Sequence, residues 1–244
     1  MVMRIPENLA PECYALGWLV DSWQGGGVLE YEGIDPAAYL HEVRIDNEDG
    51  GAYLRVTSTI WLAKEPASEV DKEAPGQYTY DNLTKDRVWA TETGYIRPVA
   101  GPARPDGTTE LEAMIASPAG HSQLWVGLIK GPRMNLVTDA IATAGTAARI
   151  EEARLIVGLV ASDMFYAYDM AAFGSEMRNY LAGRLSRQFD DSVDGPAPAS
   201  VEIPDDAAEL FEPETPAEPG AESDAAAPEA GSSDASGAPE AEAK

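Results

Sequence analysis

A chain of 244 residues with 42 acidic against 17 basic side chains, net −25, repels phosphate backbones and anionic lipid headgroups, which argues against nucleic-acid and membrane-surface partners. A single cysteine, Cys13, excludes an intramolecular disulfide and a cysteine-built metal cluster. No stretch approaches the ~20 apolar residues of a membrane-spanning helix, and the opening MVMRIPENLAPE lacks a signal-peptide core, so a cytoplasmic protein is expected.

Residues 1 to 15 read as an N-terminal arm. From Leu16 to Phe189 the dominant apolar period is two. Near the start, GWLVDSWQGGGVLEYEGI sets a tryptophan before closely spaced glycines. Such a segment serves either as a glycine bulge beside a core tryptophan or as a pocket element, with Trp23 plugging one end of a barrel and Gly25 to Gly27 lining a cavity wall. In YLHEVRI, Tyr39, His41, Val43 and Ile45 point one way, and in AYLRVTSTIWLA Leu54, Val56, Ser58, Ile60 and Leu62 share a face. A longer run, KEPASEVDKEAPGQYTYDN, interrupts the alternation and is expected to be a mobile excursion. Alternation resumes in VWATETGYIRPV, TELEAMIAS, HSQLWVGLI, RMNLVTDAI, ARIEEARLIVG and DMFYAYDMAA, with turn clusters such as DNEDGG, GPARPDGT, SPAG and KGPR between strands.

About nine or ten short strands in meander order, without a convincing helical stretch, predict an all-β fold: a sandwich or an antiparallel up-and-down barrel. Ser58, Thr91 and Thr138 are read on the same faces as Val, Ile and Leu, which favours a barrel with a ligand cavity over a dry sandwich core. Composition changes sharply at Asp190. Residues 190 to 244 carry 16 acids and one base, −15 of the total −25, leaving −10 for residues 1 to 189. An Ala/Pro/Glu-rich segment of this kind has too little apolar surface to offset the entropy of ordering it and is expected to be disordered. Leu210 and Phe211 within it form an island of the kind that docks a protein partner.

Motifs of common catalytic chemistry are missing. His41 and His121 fall on separate strands without the spacing of a zinc site; His41 reads as a satisfied core residue and His121 as a solvated turn residue. Ser22 lies in no nucleophile elbow, and Glu151 and Glu152 alternate to opposite faces. Tyr166 and Tyr168 read as packing residues on one strand face.

In order along the chain, DSWQGGGVLEY, TSTIW, ETGYIRP, LEAMIASPAGHSQLWVG and MAAFGSEMRNYL together resemble the nitrobindin family, across residues 16 to 189. The resemblance implies a barrel of about ten antiparallel strands, similar in shape to fatty-acid-binding proteins and lipocalins. It also implies a b-type haem held by one proximal histidine, with nitric oxide binding and isomerisation of peroxynitrite to nitrate as the associated chemistry. Asp21 stands where the family's GxWxGxG pattern has its first glycine, with Trp23, Gly25 and Gly27 at the matching positions. The larger departure is at the ligand: the step count from Gly174 puts Tyr180, followed by Leu181, where the family has its His-Leu pair. A tyrosine binds iron well only as phenolate, and its ordinary pKa near ~10 requires a metal or a nearby cation to drive off the proton; Arg178 and Arg184 are the cations near it in sequence.

Two functional expectations follow: a barrel without ordinary haem ligation that takes an apolar small molecule, or a haem-dependent peroxynitrite isomerase with iron on Tyr180. A third is an interaction scaffold acting through the acidic tail. Richness in Ala, Gly and Pro suggests a bacterial source.

Overall fold

The structure is a computed structural model that describes residues 8 to 101 and 104 to 188. The acidic tail and its Leu210–Phe211 island lie outside the described residues. The strands are β1 (Asp21–Tyr31), β2 (Ile34–Asp46), β3 (Leu54–Pro66), β4 (Lys85–Pro98), β5 (Thr109–Ser117), β6 (His121–Lys130), β7 (Arg133–Thr143), β8 (Ile150–Val160), β9 (Asp163–Ala172) and β10 (Arg178–Gln188). Each pairs antiparallel with its neighbours in sequence, and β10 returns to β1 with Gly27 opposite Gly183. The expected up-and-down barrel is thus a closed one, which removes every sheet edge.

Inward positions follow the period of two: Trp23, Leu29 and Tyr31 on β1, Tyr39, His41 and Ile45 on β2, and Leu54, Ile60 and Leu62 on β3 are all buried. A 3-10 helix, Pro11–Leu19, closes one end and buries Cys13, Leu16, Trp18 and Leu19. The 15/16 boundary read from the sequence falls inside this helix. Its pattern carries no clear amphipathic period, so burial comes from capping the barrel and not from a helical face.

The interruption after β3 is more ordered in form than a plain loop. It holds a short 3-10 turn (Ala67–Glu69) and helix α1 (Gly76–Asn82), which packs on the outside of β1 and β10. Asp163 fixes it: the carboxylate accepts from the Gly76 N–H at 3.3 Å, from Arg184 Nε at 2.6 Å and from Ser186 Oγ at 2.8 Å. Arg184 also donates to the Glu73 carbonyl at 2.9 Å.

Two bulges alter the faces expected from strict alternation. Ile60 pairs with Ala90 but Trp61 pairs with Val88, so Trp89 is an extra residue on β4. Asn179 pairs with Asp169 but Leu181 pairs with Tyr168, so Tyr180 is an extra residue on β10. An inserted residue re-aims its side chain while the flanking ladder resumes. One consequence corrects the expected face of Thr91: it pairs with Thr59 on the outer face, and Glu92, opposite Ser58, takes the inward position. Another shift, between Ile150 and Glu152, leaves Glu151 unpaired with β9 and both glutamates exposed.

Candidate functional site: the aromatic mouth of the barrel

The end opposite the N-terminal 3-10 helix carries the β1–β2, β5–β6, β7–β8 and β9–β10 turns, and the two bulged residues meet there. Trp89 Nε1 donates to the Tyr180 hydroxyl at 2.6 Å. Strands β4 and β10 are not neighbours in the barrel, so this bond spans the mouth. Tyr180 is edge-on to Tyr31, 5.8 Å between ring centroids, and to Tyr168 at 6.1 Å; Tyr168 in turn meets Trp125 at 5.9 Å. Tyr31 is buried and ties β1 to the end of β9, donating to the Met170 carbonyl at 3.0 Å and accepting from the Ala172 N–H at 2.9 Å. Phe173 and Met177, in the β9–β10 turn, are exposed at the rim.

Deeper inside runs a polar chain. The hydroxyls of Tyr39 and Tyr166 lie 2.6 Å apart, Tyr166 lies 2.7 Å from His41 Nδ1, and His41 Nε2 lies 2.8 Å from Ser58 Oγ. Both imidazole nitrogens are thereby occupied, and burial lowers the His41 pKa to about 3, so the ring is neutral. The same burial raises the phenols of Tyr39, Tyr166 and Tyr168 well above their ordinary range. Room for the Tyr39 phenol comes from Gly27 and Gly183: a Cβ on either would come within 2.7 Å or 2.5 Å of its oxygen.

Glu92 faces the phenols from β4. Its carboxyl pKa is raised by burial, with His121 pulling it partly back. Its charge is felt at Tyr168 and Tyr180. Glu92, Ser58, Tyr168 and Tyr180 sit on the inner wall yet are only partly buried, so this end of the wall keeps accessible surface.

The residues expected to matter are dispersed. Trp23 lies fully buried at the opposite end, beneath the 3-10 helix, donating to the Leu19 carbonyl at 2.9 Å with the Arg187 guanidinium 4.4 Å over its ring. The helix itself supplies the closure there. Gly25 and Gly27 face in, and each would drive a Cβ to about 2 Å from a β10 carbonyl oxygen, 2.1 Å at Arg184 and 2.0 Å at Ala182. Only Tyr180 stands at the mouth. Trp89, Glu92 and Tyr31 went unread in the sequence; the bulge that turns Trp89 inward has no residue signature. His121, at the start of β6, bonds the Ala148 carbonyl at 2.7 Å at the rim.

A closed antiparallel barrel, plugged at one end and aromatic at the other, is a small-ligand-binding type of fold. The chain belongs to the nitrobindin family: residues 12–187 match the family described as "THAP4-like, heme-binding beta-barrel domain". It is 36% identical over 214 residues to a "Ferric nitrobindin-like protein" of Beutenbergia cavernae, covering 77% of this chain and 99% of that one. It is 32% identical over 201 residues to a "Peroxynitrite isomerase" of Leifsonia xyli subsp. xyli, covering 76% and 99%. Among solved structures, that of Rv2717c from M. tuberculosis superposes with a TM-score of 0.58 at 26% identity, covering 74% of this chain and 99% of that chain.

The family's group is haem, and the donors here do not fit a haem held through imidazole. His41 is locked between Tyr166 and Ser58, and His121 faces the Ala148 carbonyl. At Tyr180, burial raises the phenol pKa, the Trp89 donor pulls it partly back, and the Glu92 charge raises it again. The arginines expected to favour a phenolate are engaged elsewhere: Arg178 with Glu32 at 3.2 Å and Arg184 with Asp163 at 2.6 Å.

Proposed function

We propose that this chain is a nitrobindin-family barrel that does not hold haem in the ordinary family manner and whose mouth takes an apolar small molecule, without catalysing a reaction of its own. The observation that carries the reading is Tyr180: a protonated phenol, hydrogen-bonded by Trp89 and with Arg178 and Arg184 paired elsewhere, stands where the resemblance puts the proximal histidine. A neutral phenol is a poor donor to ferric iron, whereas an imidazole is ready at neutral pH. The partly buried rings of Tyr168 and Tyr180 and the exposed rings of Trp89 and Phe173 offer apolar surface at this end, which suits a small-molecule site.

The test is restoration. Ferric haem titrated into Tyr180→His is expected to produce a sharp, stoichiometric Soret band, because the barrel belongs to a haem-binding family. Failure of that variant to bind haem, with the barrel still folded by circular dichroism, contradicts the reading that the ligand alone has changed. Accelerated conversion of peroxynitrite to nitrate by the wild-type chain loaded with haem would return it to the activity named for its relatives.

A further inference from the structure

We propose that the mouth of the barrel is a binding site for an organic cation, an ammonium group on an apolar body, held between the carboxylate of Glu92 and the rings of Tyr168, Tyr180 and Trp89. The proposal rests on the small-ligand reading above and names the ligand's chemistry.

Three observations converge on it. Glu92 occupies an inward position opposite Ser58, is only partly buried, and makes no hydrogen bond or ion pair among the described residues. A carboxylate drawn out of bulk water and left without a partner is costly, and a bound cation is the partner that relieves the cost. His121 is the one basic group that acts on it, and that ring is turned to the Ala148 carbonyl.

The second observation is the arrangement of the rings. Tyr168 and Tyr180 stand at 66° to one another and Tyr31 and Tyr180 at 90°, so ring faces point in several directions at this end of the barrel. Aromatic faces beside a carboxylate attract ammonium groups through the ring quadrupole, most strongly where water is thin. Trp89 donates to the Tyr180 oxygen, which ties the two rings together across the mouth and leaves the phenol O–H free to donate.

The third is charge. An anion would meet Glu92, and the arginines at this end among the described residues, Arg87, Arg149 and Arg178, are already paired with Asp86, Glu151 and Glu32. A neutral ligand would bury Glu92 further without a partner. The net −10 of residues 1 to 189 adds a long-range attraction for cations.

Calorimetric titration of the full chain with octyltrimethylammonium, octanol and octanoate separates the alternatives, since the three share one apolar body. The ammonium is expected to bind about tenfold more tightly than octanol, the order of a partly desolvated cation–π and ion-pair contact, and octanoate more weakly than octanol. In Glu92→Gln the ammonium falls to the octanol level while octanol is unchanged; the acidic tail is present in both proteins, so it cannot produce that difference. Octanol binding with no preference for the ammonium, or a preference that survives Glu92→Gln, overturns the cation assignment and leaves the small-ligand reading standing. Binding of none of the three overturns both.

Discussion

His41 gives the sharpest quantitative expectation. Its ring is neutral in the folded barrel with a pKa of about 3, and in the unfolded chain it titrates at the ordinary 6.5. The unfolded state therefore binds a proton at pH values where the folded state does not, so stability falls as pH drops below that ordinary value and is fully present above it. Integrating between those two values, the loss is about 0.2 kcal/mol at pH 7 and about 2 kcal/mol at pH 5. Other groups titrate over the same range, so the measurement is a difference. Urea unfolding is followed at half-unit steps from pH 7.5 to 5 for the wild type and for His41→Gln, whose side chain cannot take up a proton in either state. The variant loses part of the Tyr166 and Ser58 hydrogen bonding at every pH, a constant offset. The gap between the two stabilities should narrow by about 2 kcal/mol on going from pH 7 to pH 5. Parallel curves would mean that the imidazole titrates normally in the fold, and the buried Tyr39–Tyr166–His41–Ser58 chain would be wrong.

Two further perturbations test how the walls are held. Gly27→Ala places a Cβ 2.0 Å from the Ala182 carbonyl oxygen and 2.7 Å from the Tyr39 hydroxyl; a loss of about 3 kcal/mol and a melting temperature lower by roughly 6–12 °C are expected. Gly145→Ala, with nothing within 4 Å of its Cβ, should stay within about 0.5 kcal/mol of wild type, and equal effects at the two sites would refute the packing argument. Asp163→Asn removes the charge that faces Arg184 while keeping the shape. It should cost about 3 kcal/mol and speed tryptic cleavage after Lys72, with unchanged cleavage showing that the excursion is held by something else.

The strands were legible because each repeats its apolar residues every second position over a typical strand length, and turn clusters separate them. Their order then left few topologies. Closure was carried by the resemblance and by the polar residues read among the apolar faces more than by any one residue. The interior site was only partly legible. Tyr180 was found by counting from Gly174, but its partner Trp89 lies 91 positions away in sequence, and both owe their direction to bulges that a period of two cannot anticipate. The same one-residue slip exchanged Thr91 for Glu92 on the inner face, hiding the carboxylate that faces the phenols. The 3-10 helix was missed for a different reason: PECYALGWL buries residues through its place at the barrel end, and no local periodicity reports that.

The central claim is that the phenol at Tyr180 leaves this barrel without the iron ligation of its family. Its most direct test is a titration of the wild-type chain with ferric haem, recorded in the Soret region alongside Tyr180→Phe. The account predicts broad, weak spectra that are the same for both proteins and are lost on gel filtration. A sharp stoichiometric band in the wild type that survives gel filtration and disappears in Tyr180→Phe would contradict it.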